Sequence, residues 1–329
     1  MRRIRRRQFL FAVGSLAALS LPALAQQEKR VRRIGFFSVT TAEFSAPRLA
    51  AFREGMTDLH WVEGRDYVFD ARYTNGVAQT GPGLAAELVA TQPDLLLVHG
   101  DEPARQLAQR TKTIPIVFAT AQDPVGNGLA TSLRRPGGNA TGLTNLARNL
   151  AAKRLQLLKE AVPRVSRVVL LFDPGYVGSV SQVKEIEEAA DRLRMRVTSI
   201  GLRLAADVDS AFKRGAALGA QAYIVAQGPI FTTQRQAIMD RIMSSKVPLI
   251  SEGSTLVEAG GLMSYAPSGT ENFRRAAAYV DKIFKGAKPG ELPIEQPNRF
   301  EMVINLKTAK AMGLKFPQSI LIQADRVIE

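Results

Sequence analysis

Cysteine is absent from all 329 residues, and histidine occurs only twice, as His60 and His99. Without cysteine there are no disulfides, no thiolate metal ligands and no cysteine nucleophile, so the fold is held by its core alone. The residue that carries a lipid tether on exported bacterial proteins is missing as well. No Walker lysine loop, G-x-S-x-G elbow or H-E-x-x-H pair is present. The nearest approach to a dinucleotide loop, Gly126-Asn127-Gly128, lacks a third glycine and follows Asp123-Pro124, the pattern of a helix start with an acidic cap and proline at its first position. Acidic residues are the minority, 30 against 44 Lys and Arg. The basic excess is spread along helices, as in Lys153-Arg154 and Arg274-Arg275, which reads as solvated faces rather than a nucleic-acid surface.

What is present begins with an export signal. Five arginines crowd the start, Arg6-Arg7-Gln8-Phe9-Leu10 follows the twin-arginine pattern, and an apolar run over 11–21 leads to Pro22 and the small-residue triplet Ala23-Leu24-Ala25. The usual Ser before the arginine pair and Lys after the Leu are missing, which leaves unfolded export as the alternative to folded export. Cleavage after Ala25 makes 1–25 a signal peptide and starts the mature chain at Gln26. The run is too short for a permanent membrane anchor. Losing five arginines and no acidic residue lowers the formal charge from +14 to +9, and about 300 residues remain, enough for two ordinary domains with sizeable cores. The sequence therefore implies a soluble periplasmic protein.

Those residues repeat one plan. A short apolar strand at 34–38 (IGFFS) precedes Leu49, Phe52, Met56 and Leu59 at helical spacing; an alternating strand at 67–71, a helix at 84–90, and buried strands at 93–100 (PDLLLVHG) and 114–118 (IPIVF) follow. The second stretch replays this with 168–173 (VVLLFD), a helix carrying Val183, Ile186, Ala190 and Leu193, a strand at 197–202, a helix around Phe212, and strands at 222–227 (AYIVAQ) and 247–251 (VPLIS). Apolar strands separated by amphipathic helices imply parallel sheets covered on both faces. The expected architecture is α/β, with two Rossmann-like lobes joined by a three-segment hinge. Ligands of such sheets bind beyond the carboxyl ends of the strands, so two facing lobes place one ligand between them.

The remaining candidates for chemistry read as structure. His60 ends a helix beside Trp61, as a cap; His99 ends a strand and can face the cleft, but the two do not share a site on this plan. Asp101-Glu102 form the acidic first turn of a helix rather than a convergent acid–base pair. No metal site, cofactor site or catalytic set emerges.

Several segments resemble the ABC transporter substrate-binding protein family that includes tryptophan-binding (TrpX-like) members: 116–125 (IVFATAQDPV), 132–142 (SLRRPGGNATG), 153–159 (KRLQLLK), 258–265 (EAGGLMSY), 274–283 (RRAAAYVDKI), 295–297 (EQP), 300–310 (FEMVINLKTAK) and 324–329 (ADRVIE). Together they cover the mature chain in order. The resemblance implies a type I periplasmic-binding-protein fold, no enzymatic activity, no cofactor, and as partners a small-molecule ligand and an ABC permease with a separate ATPase subunit, since this chain has no phosphate loop. The expected lobes are 31–144 with 266–294, and 145–265 with 295–329. The helix after residue 270, with no third repeat to join, is expected to complete the first lobe, and Asn305 to close a strand and open a helix. Tryptophan itself does not carry over. Where those relatives tend to have Asn-Pro and small polar residues, this chain has Asp173-Pro174-Gly175-Tyr176, and its next cleft loop is Gln227-Gly228-Pro229-Ile230-Phe231.

The expected function is a periplasmic receptor for a small polar or amphipathic ligand, amino-acid-like or an aromatic carboxylate. A ligand sensor for a membrane signalling protein and an exported α/β enzyme are the alternatives. The residues expected to line the cleft are Ser38, Thr40, Thr41, Gly100, Asp101, Gln122 and Thr144 from the first lobe, and Asp173, Tyr176, Gln227, Glu252 and Tyr265 from the second. Hydroxyls and free N–H groups suit a carboxylate, acids an ammonium, and tyrosines an apolar face.

Overall fold

The computed structural model describes residues 30–145, 147–297 and 299–329; the export segment and its cleavage point lie outside them. The apolar runs are strands. The chain begins β1 (Arg32–Ser38), α1 (Ala42–Asp58), β2 (Tyr67–Tyr73), α2 (Gly81–Ala90), β3 (Leu95–His99), α3 (Asp101–Arg110), β4 (Ile116–Ala121) and β5 (Ala140–Thr144). It continues α4 (Ala147–Ala161), β6 (Arg167–Phe172), α5 (Val177–Arg192), β7 (Arg196–Gly201), α6 (Asp207–Ala217), β8 (Ala222–Val225), α7 (Pro229–Thr233), α8 (Arg235–Ser245), β9 (Leu249–Ser251), α9 (Ser254–Glu258) and β10 (Met263–Pro267). The last elements are α10 (Gly269–Phe284), β11 (Phe300–Asn305), α11 (Leu306–Ala311), α12 (Gln318–Gln323) and β12 (Arg326–Ile328).

The strands form two sheets, ordered β2-β1-β3-β4-β5 and β12-β11-β10-β9-β8-β6-β7. With the last two strands set aside, the second order is that of the first, so the repeat extends to strand order. The first sheet is parallel throughout. In the second, β11 runs antiparallel to β10, with Pro267 opposite Phe300 and Met263 opposite Ile304. This departs from the all-parallel expectation for a topological reason. β10 carries the chain out of its sheet at the cleft end, and the returning strand enters beside it from that same end.

The chain passes between sheets at three places. After β5 it enters α4, which packs Leu155, Leu157 and Leu158 on the second sheet with Val168, Leu170 and Ile224. After Pro267 it enters α10, which buries Phe273, Ala276, Ala277, Tyr279 and Val280 on the first sheet with Ile34, Phe36 and Phe52. Before β11, Glu295 still pairs with Leu143 of β5. β10 and Glu295 thus each run slightly past the boundary read from the sequence.

Helix ends follow capping chemistry. The hydroxyl of Thr41 accepts from the Phe44 N–H at 3.3 Å, Ser268 accepts from Glu271 at 3.4 Å, and Asn305 closes β11 while accepting from Thr308 at 3.0 Å. α1 crosses α10 at Gly55, where a β-carbon would collide with the Arg274 carbonyl and stand 2.9 Å from the Ala277 methyl. One expected helix is absent. Asp123 does accept from the Gly126 N–H at 2.9 Å, as a cap would, but the segment is a turn, because Gly128 takes φ +70° and ends the winding at once.

Candidate functional site

In a sheet ordered 2-1-3-4-5 the crossover connections reverse between the first and third strands, which opens a crevice at their carboxyl ends. Both lobes have such a point, and both face one cavity. In the first lobe Val39 and Thr40 follow β1, and His99 and Gly100 end β3; in the second Tyr176 follows β6, and Gln227 and Gly228 follow β8. The cavity measures about 150 Å³; an engineered apolar cavity of about that size accepts benzene. Phe44 and Phe231 supply apolar wall, while Thr120, Asn145, Ser251 and Ser264 supply polar groups.

The lobes touch around it. A β-carbon on Gly178 would stand 2.9 Å from Gln122 Cγ, one on Gly76 would stand 2.6 Å from Thr233 Cγ2, and the Tyr176 hydroxyl lies 3.7 Å from where Gly100 would carry one. Glycine at these points permits contacts that a larger residue would prop open.

Of the residues expected to line the cleft, Thr40, Gly100, Tyr176, Gln227 and Glu252 are on the cavity wall. The other seven lie off it. Ser38 is buried beneath Thr40, their hydroxyls 2.8 Å apart. Thr41 caps α1. Asp101 accepts from the backbone N–H groups of Gln122 at 2.7 Å and Asp123 at 3.2 Å, clipping the start of α3 to the end of β4. Burial raises its carboxyl, and those hydrogen bonds oppose the rise. Asp173 accepts from Gly175 at 2.8 Å, and burial raises it too. Gln122 packs on α5, Thr144 donates its N–H to Glu295, and the Tyr265 ring stacks on Phe300 at 5.8 Å. The amide of Gln122 and the hydroxyl of Thr144 are buried without a partner among the described residues, whereas the corrections at Ser38, Thr41, Asp101 and Asp173 have one cause. Polar residues at strand ends satisfy free backbone groups locally, and turn chemistry resembles ligand chemistry in sequence.

Charge in the cavity comes from two lobes. Arg48, on α1, lies with its guanidinium 3.9 Å from the Phe44 ring centre and donates to the Phe44 carbonyl at 2.8 Å. Burial lowers its pKa to about 10, against the pull of Glu258 and Glu301. Burial, aided by Arg48, holds His99 at about 3, so its imidazole is neutral. The Tyr176 phenol is raised well above its ordinary value, by burial first and then by Asp101, Glu252 and Asp173. On the opposite wall, Glu252 binds Gln182 Nε2 at 2.9 Å and Arg154 at 3.4 Å through one oxygen.

Several buried polar atoms here have no partner among the described residues: His99 Nδ1, Thr120 Oγ1, Gln227 Oε1 and the second oxygen of Glu252. An unmade bond of this kind costs about 1–3 kcal/mol. Four such atoms, two from each lobe, face one cavity. No group of three or more His, Asp or Glu converges as a metal site among the described residues.

Sequence reasoning missed Arg48, Phe44, Thr120, Asn145 and Glu301. Arg48 did carry a signal, a cation next to Leu49 at the start of the buried stripe Leu49, Phe52 and Met56. Thr120 lies one residue inside a strand end, where the apolar run hides it.

A family model described as ABC transporter substrate binding protein matches residues 47–328. A tyrosine-binding protein of Clostridioides difficile (strain R20291) is 22% identical over 288 residues, covering 87% of this chain and 82% of that protein. A conserved domain protein from Vibrio cholerae superposes with a TM-score of 0.85 at 24% identity, covering 91% of this chain and all of its own. A Streptococcus pneumoniae ABC domain, solved in complex with L-Trp, gives a TM-score of 0.84 at 24% identity with the same coverage.

Proposed function

The chain belongs to the ABC transporter substrate-binding protein family, whose members bind solutes without transforming them, and from that premise we propose that it is a periplasmic receptor delivering a small amphipathic ligand to an ABC permease driven by a separate ATPase. The ligand is amino-acid-like or an aromatic carboxylate. The observation that carries this reading is the ring of partnerless buried polar atoms contributed by both lobes to one cavity. The bodies proposed to move are the lobes read as 31–144 with 266–294 and 145–265 with 295–329, adjusted so that Ala266 and Pro267 go with the second and Glu295 with the first. A guest that satisfies Thr120 and His99 on one side and Gln227 and Glu252 on the other makes all its bonds only with the lobes together. Its differential affinity then drives closure. Arg48 and the hydroxyls of Thr40 and Thr120 suit a carboxylate, Glu252 an ammonium, and Phe44, Phe231 and Tyr176 an apolar body. The binding of L-Trp and tyrosine by relatives agrees with that division.

Mass spectrometry of the molecule released on gentle unfolding of freshly purified protein identifies the ligand. With it in hand, Gln227→Ala is expected to weaken binding by about 1–3 kcal/mol in calorimetry, one buried polar partner being lost, and to reduce the compaction seen by small-angle scattering. Parental affinity and compaction in the variant would remove Gln227 from the site; chemical turnover of the ligand would remove the receptor reading altogether.

Export belongs to the same proposal. Among the described residues no helix is long and apolar enough to cross a membrane, and the twin-arginine segment supports delivery to the periplasm with cleavage after Ala25. N-terminal sequencing of periplasmic protein is expected to read from Gln26. A chain starting at Met1 in the membrane fraction would refute cleavage.

A further inference from the structure

Arg154 has the largest fully buried side chain among the described residues, which is unusual for a cation that burial strips of water. It projects from α4, and three things hold it. Its Nη2 donates to Gln182 Oε1 at 2.9 Å and to Glu252 Oε2 at 3.4 Å, and its Nη1 donates to the carbonyl of Tyr265 at 3.2 Å. Gln182 donates in turn to the same Glu252 oxygen at 2.9 Å and to the Gly178 carbonyl at 3.2 Å. Both donors converge on Oε2, so Oε1 is left without a partner on a residue of the cavity wall.

We propose that Arg154, with Gln182, is a positioning residue: it fixes Glu252 with one oxygen free for a cationic group in the cavity, and ties that carboxylate to the strand on which the chain leaves the second lobe. The proposal rests on the reading of the cavity as the ligand site. A carboxylate with half its acceptor capacity unused, out of water, is completed by a donor that carries positive charge. Aim matters as much as charge. A carboxylate free to turn would spread itself over both donors, whereas the Arg154–Gln182 pair takes up one oxygen and leaves the other.

The third contact gives the arrangement its reach. Tyr265 lies in β10, whose Ser264, Ala266 and Pro267 line the cavity before the chain departs for α10. α4, which bears Arg154, begins where the chain first arrives from β5. One guanidinium therefore joins the ligand-facing carboxylate to both of these passages between lobes. A planar fork holds three acceptors in fixed relative directions, as the compact, rotatable charge of an ammonium on a flexible stem does not. The other charged and titratable groups facing this corner are Glu185, which acts on Arg154, Tyr176 beside Glu252, and Arg48 and Glu301 across the cavity.

Two measurements test the proposal. The first needs no ligand. In the parent the Arg154 Nη protons, identified by their loss in Arg154→Lys, are expected as separate, slowly exchanging resonances in nitrogen-15 spectra. Glu252→Gln and Gln182→Leu are each expected to broaden or merge them. Unchanged resonances in both variants would overturn the proposal.

The second uses two probe pairs, L-tyrosine with 3-(4-hydroxyphenyl)propionate and L-leucine with 4-methylpentanoate, titrated calorimetrically. The parent is expected to prefer the amine-bearing member at least tenfold. Arg154→Met and Glu252→Gln should each abolish that preference while leaving the affinity for the deaminated member within about threefold, and the double variant should lose no more than either single one. A variant that weakens both members equally is merely less well folded, and that result overturns the positioning role. If Arg154→Met does not fold, Gln182→Leu and Arg154→Lys carry the experiment, each with an expected several-fold loss of preference. If the parent binds neither member of either pair, the proposed ligand class falls, and the resonances still decide whether Arg154 holds Glu252.

Discussion

In the first lobe the cleft end of the sheet rests on rings: His99 stacks on Phe44 at 5.6 Å and meets the edge of Phe273 at 5.7 Å, and Phe273 meets Phe36 at 6.1 Å. In the second lobe the supporting layer is Arg154, Gln182 and Glu252. Strand order is shared, but one wall is stiffened by apolar burial and the other by paired charge. The first kind of support is non-directional; the second is directional and fails when either partner goes. A duplicated scaffold can thus offer unlike faces to one guest, a firm surface on one side and an aimed group on the other.

The contrast is broken most severely by deleting one support from each lobe. Phe273→Ala is expected to cost about 3–5 kcal/mol by leaving a cavity, and Arg154→Met about 3–5 kcal/mol by stranding a buried carboxylate, both measured by denaturant unfolding. The difference lies in the repair. Adding Glu252→Gln to Arg154→Met should recover much of the loss, because replacing a buried pair is far cheaper than halving it, whereas no second polar change rescues Phe273→Ala. Equal costs for the single and double charge variants would mean that the second lobe, too, is held mainly by packing.

A smaller effect distinguishes the lobes by pH. His99 is held at about 3 in the fold, while an unfolded chain takes up its proton near 6.5. Folding therefore excludes a proton, and the stability contributed by the neutral ring is whole above pH 6.5 and declines as pH falls toward 3. By pH 5 the loss is about 2 kcal/mol. His99→Gln lacks this term, so the parent's stability relative to the variant should fall by that amount between pH 8 and pH 5. A difference that stays flat would place the proton on His99 in the folded state.

Much of the fold was legible in the chain because parallel strands buried on both faces read as unbroken apolar runs. The reversal of β11 was not, since it depends on where the chain re-enters a sheet rather than on any residue in the strand. Five of the twelve residues expected at the cleft are on the cavity wall, and position alone points to them: Thr40, Gly100, Tyr176, Gln227 and Glu252 all follow strands that end at the cleft. Asp101, Asp173 and Thr41 share that position but are committed to backbone N–H groups. Arg48 was hidden in a helix interior, where its meaning depends on which way the helix faces. The smallest expected effect separates these cases. Thr41→Ala should lower stability by about 1 kcal/mol, as the loss of a cap does, with ligand affinity unchanged in calorimetry; a matching loss of affinity would return Thr41 to the site.

The position of α10 sets an order of assembly. Trp61 Nε1 bonds to Asp281 at 2.9 Å across 220 residues, and Phe36 and Phe52 are covered by a helix that the ribosome makes only after β6 to β10 of the second lobe. The lobe that is started first therefore stays incomplete while most of the second is made, and the second is itself closed last by β11 and β12. Until Phe273 and Val280 arrive, an apolar face of the first sheet stays open to solvent and to other chains, and long-range closures of this kind are slow. Protein stopped at residue 265 should gather into aggregates rather than yield a half-sized binding module, and the two halves of the cleft become a matched pair only when the final stretch of chain has passed back between them.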